Sequence, residues 1–89
     1  MSKGDELEQQ YVDLLMEVAA YLKFGGILTH HRNRVRAIGE SIHDTLGFEY
    51  MQAFGMDLRE LFNVSRDESW VGHPQELDFA WEGIGGWLP

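Results

Sequence analysis

Residues 29–43, THHRNRVRAIGESIH, gather the side chains best equipped for chemistry: His30, His31, Arg32, Arg34 and Arg36, with His43 further on. They stand in a chain of 89 residues whose seven Lys and Arg face fifteen Asp and Glu, a net charge of −8. Three chemistries compete for such a cluster: metal ligation, phosphate recognition on a nucleic acid, and capture of a small anion. Metal ligation from one helix needs histidines three or four apart, so that both rings point the same way. His30 and His31 are adjacent, about 100° apart, and His43 lies about 120° round and ~18 Å along from His31. His73 falls in a loop, and no cysteine is available as a thiolate. The spacing therefore predicts no metal and no cofactor. A nucleic acid is disfavoured too, because a few arginines on a turn and a half do not offset a strongly acidic field.

A small anion is the better functional expectation. The start of a helix offers unpaired N–H groups and the positive end of the macrodipole, and here His30, His31, Arg32, Arg34 and Arg36 would converge on it. The same cations present a local conflict, since positive side chains belong at a helix C-terminus. Arg32 and Arg36 share a four-residue row with Glu40 and Asp44. If residues 7–22 form a neighbouring antiparallel helix, Asp13 and Glu17 stand level with residues 33–37 and can supply cross-helix ion pairs. Internal pairing, pairing across a dimer and an external anion are thus the three outcomes.

The elements that would position these residues are helical. Leu7, Tyr11, Leu14, Leu15, Val18 and Leu22 form a helical stripe, with Val12, Met16 and Ala19 as a second apolar flank. Ser2 and Asp5 resemble a capping box, and Gly25-Gly26 a left-handed stop. Two apolar flanks predict that this first helix is central. A second helix is expected over Thr29–Leu46, with Leu28, His31, Val35, Ile38, Ile42 and Leu46 inward. Gly39 would mark a close crossing of another backbone, and Gly47 the C′ position. A third is expected over Glu49–Phe62, with Met51, Phe54, Leu58 and Leu61 inward. Residues 63–74 read as loop, and a last short helix begins at Gln75 and runs to about Gly85. The fold class expected is all-α, three to four helices: an antiparallel hairpin followed by shorter C-terminal helices, in one domain over 1–89.

The tail, LDFAWEGIGGWLP, is glycine-rich without the preceding strand that a phosphate loop requires. Its glycines end the helix and let Trp87 and Leu88 fold back over a core edge. RAIGESI (36–42), GFEYM (47–51) and DFAWEGIGGW (78–87) together resemble small uncharacterised bacterial all-helical proteins. Those share an Arg-x-x-Gly helix, a Gly-x-x-x-Met segment and a Trp-x-Gly-Ile-Gly-x-Trp end. The resemblance spans about the last fifty residues. It implies a helical fold built of packing residues and no activity.

Catalytic patterns are absent from the sequence: Ser41 and His43 point to different helix faces, and Glu40 with Asp44 is a solvated pair. With no spanning apolar run and no cysteine, the chain is expected to be cytoplasmic, with no membrane and no nucleic acid as partner. Its aromatic content (Tyr11, Tyr21, Tyr50, Trp70, Trp81 and Trp87 among it) exceeds what one small core obviously needs. The expected function is a small acidic protein-interaction module, homodimeric, with Trp70, Trp81 and Trp87 at its interface. A heterologous form would use the acidic surface to mask a basic protein. The alternative is a small-ligand or anion-binding subunit using residues 30–36.

Overall fold

In the computed structural model, residues 3–27, 29–65 and 70–88 are described, with side chains from Glu6 onward. The suggested cap at Ser2 and Asp5, the inward Leu28 and loop residues 66–69 lie outside them. Four α-helices follow one another, α1 (Lys3–Phe24), α2 (Thr29–Thr45), α3 (Phe48–Val64) and α4 (Gln75–Trp81), then one 3-10 turn, Ile84–Gly86. The described residues contain no strand. The all-α expectation is met.

Both stops between the long helices are made by glycine. Gly26 (φ 82°) ends α1 with its N–H 2.7 Å from the Tyr21 carbonyl, and Gly47 (φ 101°) ends α2 with its N–H 3.0 Å from that of Ile42. Each closes the wider loop that a left-handed residue permits and satisfies a carbonyl the helix leaves over. The short connections fold the chain up, down and up. α2 runs antiparallel to α1, with Arg34 level with Glu17 and His31 level with Tyr21. α3 runs in the direction of α1, with Tyr11 level with Asp57.

Val18, Leu22, Val35, Ile38, Met51, Phe54, Leu58, Leu77 and Trp81 form the fully enclosed part of one core. The centre of this core is α2, which packs against α1, α3, α4 and the 3-10 turn, and not α1 as its two apolar flanks predicted. The second flank of α1 is closed only at Ala19, 6% exposed, and stays open at Val12 and Met16, 47% and 55% exposed.

The approach of α4 explains the glycine inside α2. The Trp81 ring lies over Gly39 so closely that a Cβ there would stand 2.5 Å from the indole nitrogen. That nitrogen donates to the Val35 carbonyl at 2.8 Å. The crossing partner at Gly39 is thus a side chain rather than a backbone. α4 itself is shorter than expected, because Gly83 (φ 89°) and Gly85 (φ 58°) adopt left-handed conformations and turn the tail back over the core.

Candidate functional site

The basic turn of α2 is dispersed by its surroundings. Arg34 forms a two-pronged pair with Glu17 of α1, Nε to Oε2 at 2.8 Å and Nη2 to Oε1 at 3.0 Å. The Tyr21 hydroxyl donates to the same carboxylate at 2.6 Å. The Arg34 bond, with help from Tyr21 and against the effect of partial burial, holds Glu17 below the usual carboxylate range. Tyr21 in turn is held above the ordinary phenol value, first by its bond to Glu17. Asp13, the other acid expected to serve as a partner, accepts instead from Gln9 at 2.9 Å.

Arg36 crosses to the far side of α2. Its Nη1 donates to the carbonyls of Ala80 (3.1 Å) and Glu82 (2.8 Å), and its Nε lies 3.5 Å from Glu40. This cation, in the middle of its own helix, therefore sits at the favourable, negative end of α4, where carbonyls are left unpaired. His31 stacks on Tyr21 with ring centres 4.4 Å apart, its Nδ1 enclosed, and His30 leans on it at 4.0 Å. Arg32 is exposed and makes no hydrogen bond or ion pair among the described residues. An anion at this turn would compete with Glu17 for Arg34 and with two carbonyls for Arg36. No three His, Asp or Glu among the described residues form a metal-sized cluster.

The tryptophans correct the interface expectation. Trp81 is 0% and Trp87 8% exposed, packed edge to face at 5.1 Å. Trp87 donates to Oδ1 of Asp78 at 3.2 Å, while Arg59 donates to Oδ2 at 2.8 Å. A buried carboxylate needs such paired satisfaction. Trp70 is half-buried, edge-on to Phe62 at 5.4 Å. Trp81 and Trp87 fill the interior of a single chain, so they cannot cover a partner.

The open surface lies elsewhere, on the outer side of the α1–α3 pair. Leu7, Tyr11 and Val12 of α1 face Tyr50, Ala53 and Asp57 of α3 across a groove of about 610 Å³. Glu8 lines its wall and Leu46 its end. A second hollow of about 300 Å³, sharing Asp57, continues it between Leu15 and Leu61, Glu60 and Val64. Tyr11 spans the floor, donating to Oδ2 of Asp57 at 2.6 Å and meeting Phe54 edge to face at 5.6 Å. Burial first, and then the adjacent Asp57, push its hydroxyl well above the ordinary phenol value. It therefore remains a donor at neutral pH. The groove combines an apolar floor with walls whose charged members, Glu8, Asp57 and Glu60, are all acidic.

The fold and this surface define the class: an acidic up-down-up helical domain with a fourth short helix clamped on by Trp81. No family profile, curated protein or solved structure matches the chain. Sequence reading located the basic turn and named Glu17, but missed Asp57, Glu8 and Glu60. One signal for Asp57 was present. It stands on the row Tyr50, Ala53, Asp57, Leu61, Val64, the sole acid in an otherwise apolar ridge of three- and four-residue spacing.

Proposed function

We propose that this chain is a small acidic protein-interaction module whose working surface is the α1–α3 groove. One observation carries the reading: Val12, Tyr50 and Val64, 47%, 50% and 71% exposed, border one continuous concave face, whereas the exposed Phe24 and Met56 of the same helices line neither hollow. Scattered exposed apolar residues are ordinary, whereas a continuous concave set marks a binding surface. Two of the aromatics that suggested a homodimer, Trp81 and Trp87, are consumed inside the chain, and the groove is the concave apolar surface left for self-association as well. A cysteine-free acidic chain suits a cytoplasmic setting.

Photo-crosslinking in the cells that make the protein tests the reading. A photoreactive residue at Val12 or Val64 should give a protein adduct, and one at Glu82, away from the groove, should not. An adduct of twice the 10.3 kDa chain mass would identify a second copy. Any other mass would identify a heterologous partner. Absence of adducts from every groove position would remove the reading.

A further inference from the structure

We infer that the occupant of the α1–α3 groove is a single amphipathic helix with cationic flanks, supplied by another protein. The inference rests on the interaction-module reading and specifies its partner.

The shape argues for a helix. α1 and α3 run side by side in the same direction, and α2 lies antiparallel along one side of the pair. On α1, Leu14 and Gln10 turn toward α2, while Glu8, Val12 and Leu15 turn the other way. Apart from the end where Leu7, Tyr11 and Leu46 border the α1–α2 side as well, the groove lies on the face of a packed helix pair turned from α2, a shape into which the side-chain ridges of one further helix fit. It follows α3 from Tyr50 to Val64, a path of about 21 Å or four helical turns. Among the described residues no strand edge is present, so an extended peptide would find no ladder to join.

Charge selects the partner. Glu8, Asp57 and Glu60 line the two hollows, and among the described residues no Lys or Arg does. The nearby arginines are committed elsewhere: Arg34 to Glu17, Arg36 to the end of α4, and Arg59 to Asp78. Two copies meeting through this face would double the carboxylates at the rim, with no cation between them among the described residues. A helix presenting apolar residues at i, i+3, i+4 and i+7 with Lys or Arg beside them meets both the floor and the walls.

The test uses a fluorescent synthetic peptide of about 16 residues, Leu on one helical face and Lys on its flanks. Two controls carry Glu for every Lys, or the same residues in an order that scatters the leucines. Anisotropy measures affinity, and circular dichroism measures helix gained on mixing. The Lys peptide should bind about tenfold or more tightly than the Glu peptide, become helical, and lose most of that advantage in high salt. The scattered peptide should bind more weakly than the Lys peptide. Glu8→Lys with Glu60→Lys should reverse the preference toward the Glu peptide. Ala53→Trp should fill the floor and weaken both, with the far-ultraviolet spectrum of the free protein unchanged.

Equal affinity for the Lys and Glu peptides, or for the ordered and scattered ones, would overturn the inference. So would Lys-peptide binding indifferent to Ala53→Trp, or binding by neither peptide. Sedimentation of the free protein as a dimer that Ala53→Trp breaks up would transfer the groove to a homodimer. If groove crosslinks nevertheless form in cells, these results remove the cationic helix and leave the interaction module standing.

Discussion

At the residue scale, one of the closest approaches among the described residues is that of Trp81 to Gly39. The indole is held on one side by Phe54, ring centres 5.2 Å apart, and on another by Trp87, so it has no room to retreat. By helix propensity alone, Gly39→Ala should stabilise α2 by about 1 kcal/mol. With a Cβ 2.5 Å from an enclosed ring atom, it should instead destabilise the protein by about 1–3 kcal/mol, the usual cost of overpacking. Urea unfolding of Gly39→Ala, and of the same change in a Trp81→Phe background, separates the two effects. The smaller ring should relieve much of the penalty. A Gly39→Ala variant more stable than wild type would mean that Trp81 does not rest there.

At the scale of elements, polar side chains tie the three long helices together, and their ionisation sets where those ties hold. Glu17 joins α1 to α2, and its carboxyl is held below its ordinary value of 4.5. Its contribution is therefore complete above that value and lost as pH falls through the lowered folded one. Tyr11 joins α1 to α3, and both Tyr11 and Tyr21 are held above the ordinary 10.0. Their contributions are complete below 10.0 and lost as pH rises toward the folded values. Melting temperature plotted against pH should fall at both ends. Glu17→Gln should flatten the acid limb, and Tyr11→Phe with Tyr21→Phe the alkaline limb. An alkaline limb just as steep in the double Phe variant would contradict the assignment. The exposure of Arg34 keeps the Glu17 effect small.

These ties also show what was legible beforehand. Helical periodicity and the glycine stops place α2 and α3 to within two residues, because both signals are local. The end of α4 was placed too late, since Ile84 continues the apolar period while Gly83 and Gly85 take backbone angles that the pattern does not encode. The basic turn was visible as a conflict with the dipole of α2, and Glu17 as one remedy. The second remedy, the carboxyl end of α4 against Arg36, depends on a contact between residues 36 and 82. Trp81 and Trp87 turn inward rather than to an interface for the same reason. Hydrophobic excess is evident from composition, but whether it closes on itself depends on Gly39 admitting Trp81.

At the scale of the whole molecule, the arrangement divides its apolar surface into a part that folding requires and a part that it leaves exposed. Val18 and Leu22 belong to the first, both 0% exposed, and Met16 and Val64 to the second, at 55% and 71%. If the groove serves a partner outside the free chain, Met16→Lys and Val64→Lys should leave unfolding free energy within about 0.5 kcal/mol of wild type. They should shift it upward if anything, because each lowers the repulsion within a chain of net charge −8. Leu22→Ala should cost about 2–5 kcal/mol, since it opens a cavity in the enclosed core. Melts at two protein concentrations about fiftyfold apart should coincide for wild type and for both lysine variants, because mass action shifts only assemblies. A concentration-dependent melt that Met16→Lys lowers sharply would show the opposite, that this face completes the core of a dimer. The contrast follows from geometry: the face that carries Val18 and Leu22 is closed by α2 and α3, and the one that carries Val12 and Met16 is closed by no described part of this chain.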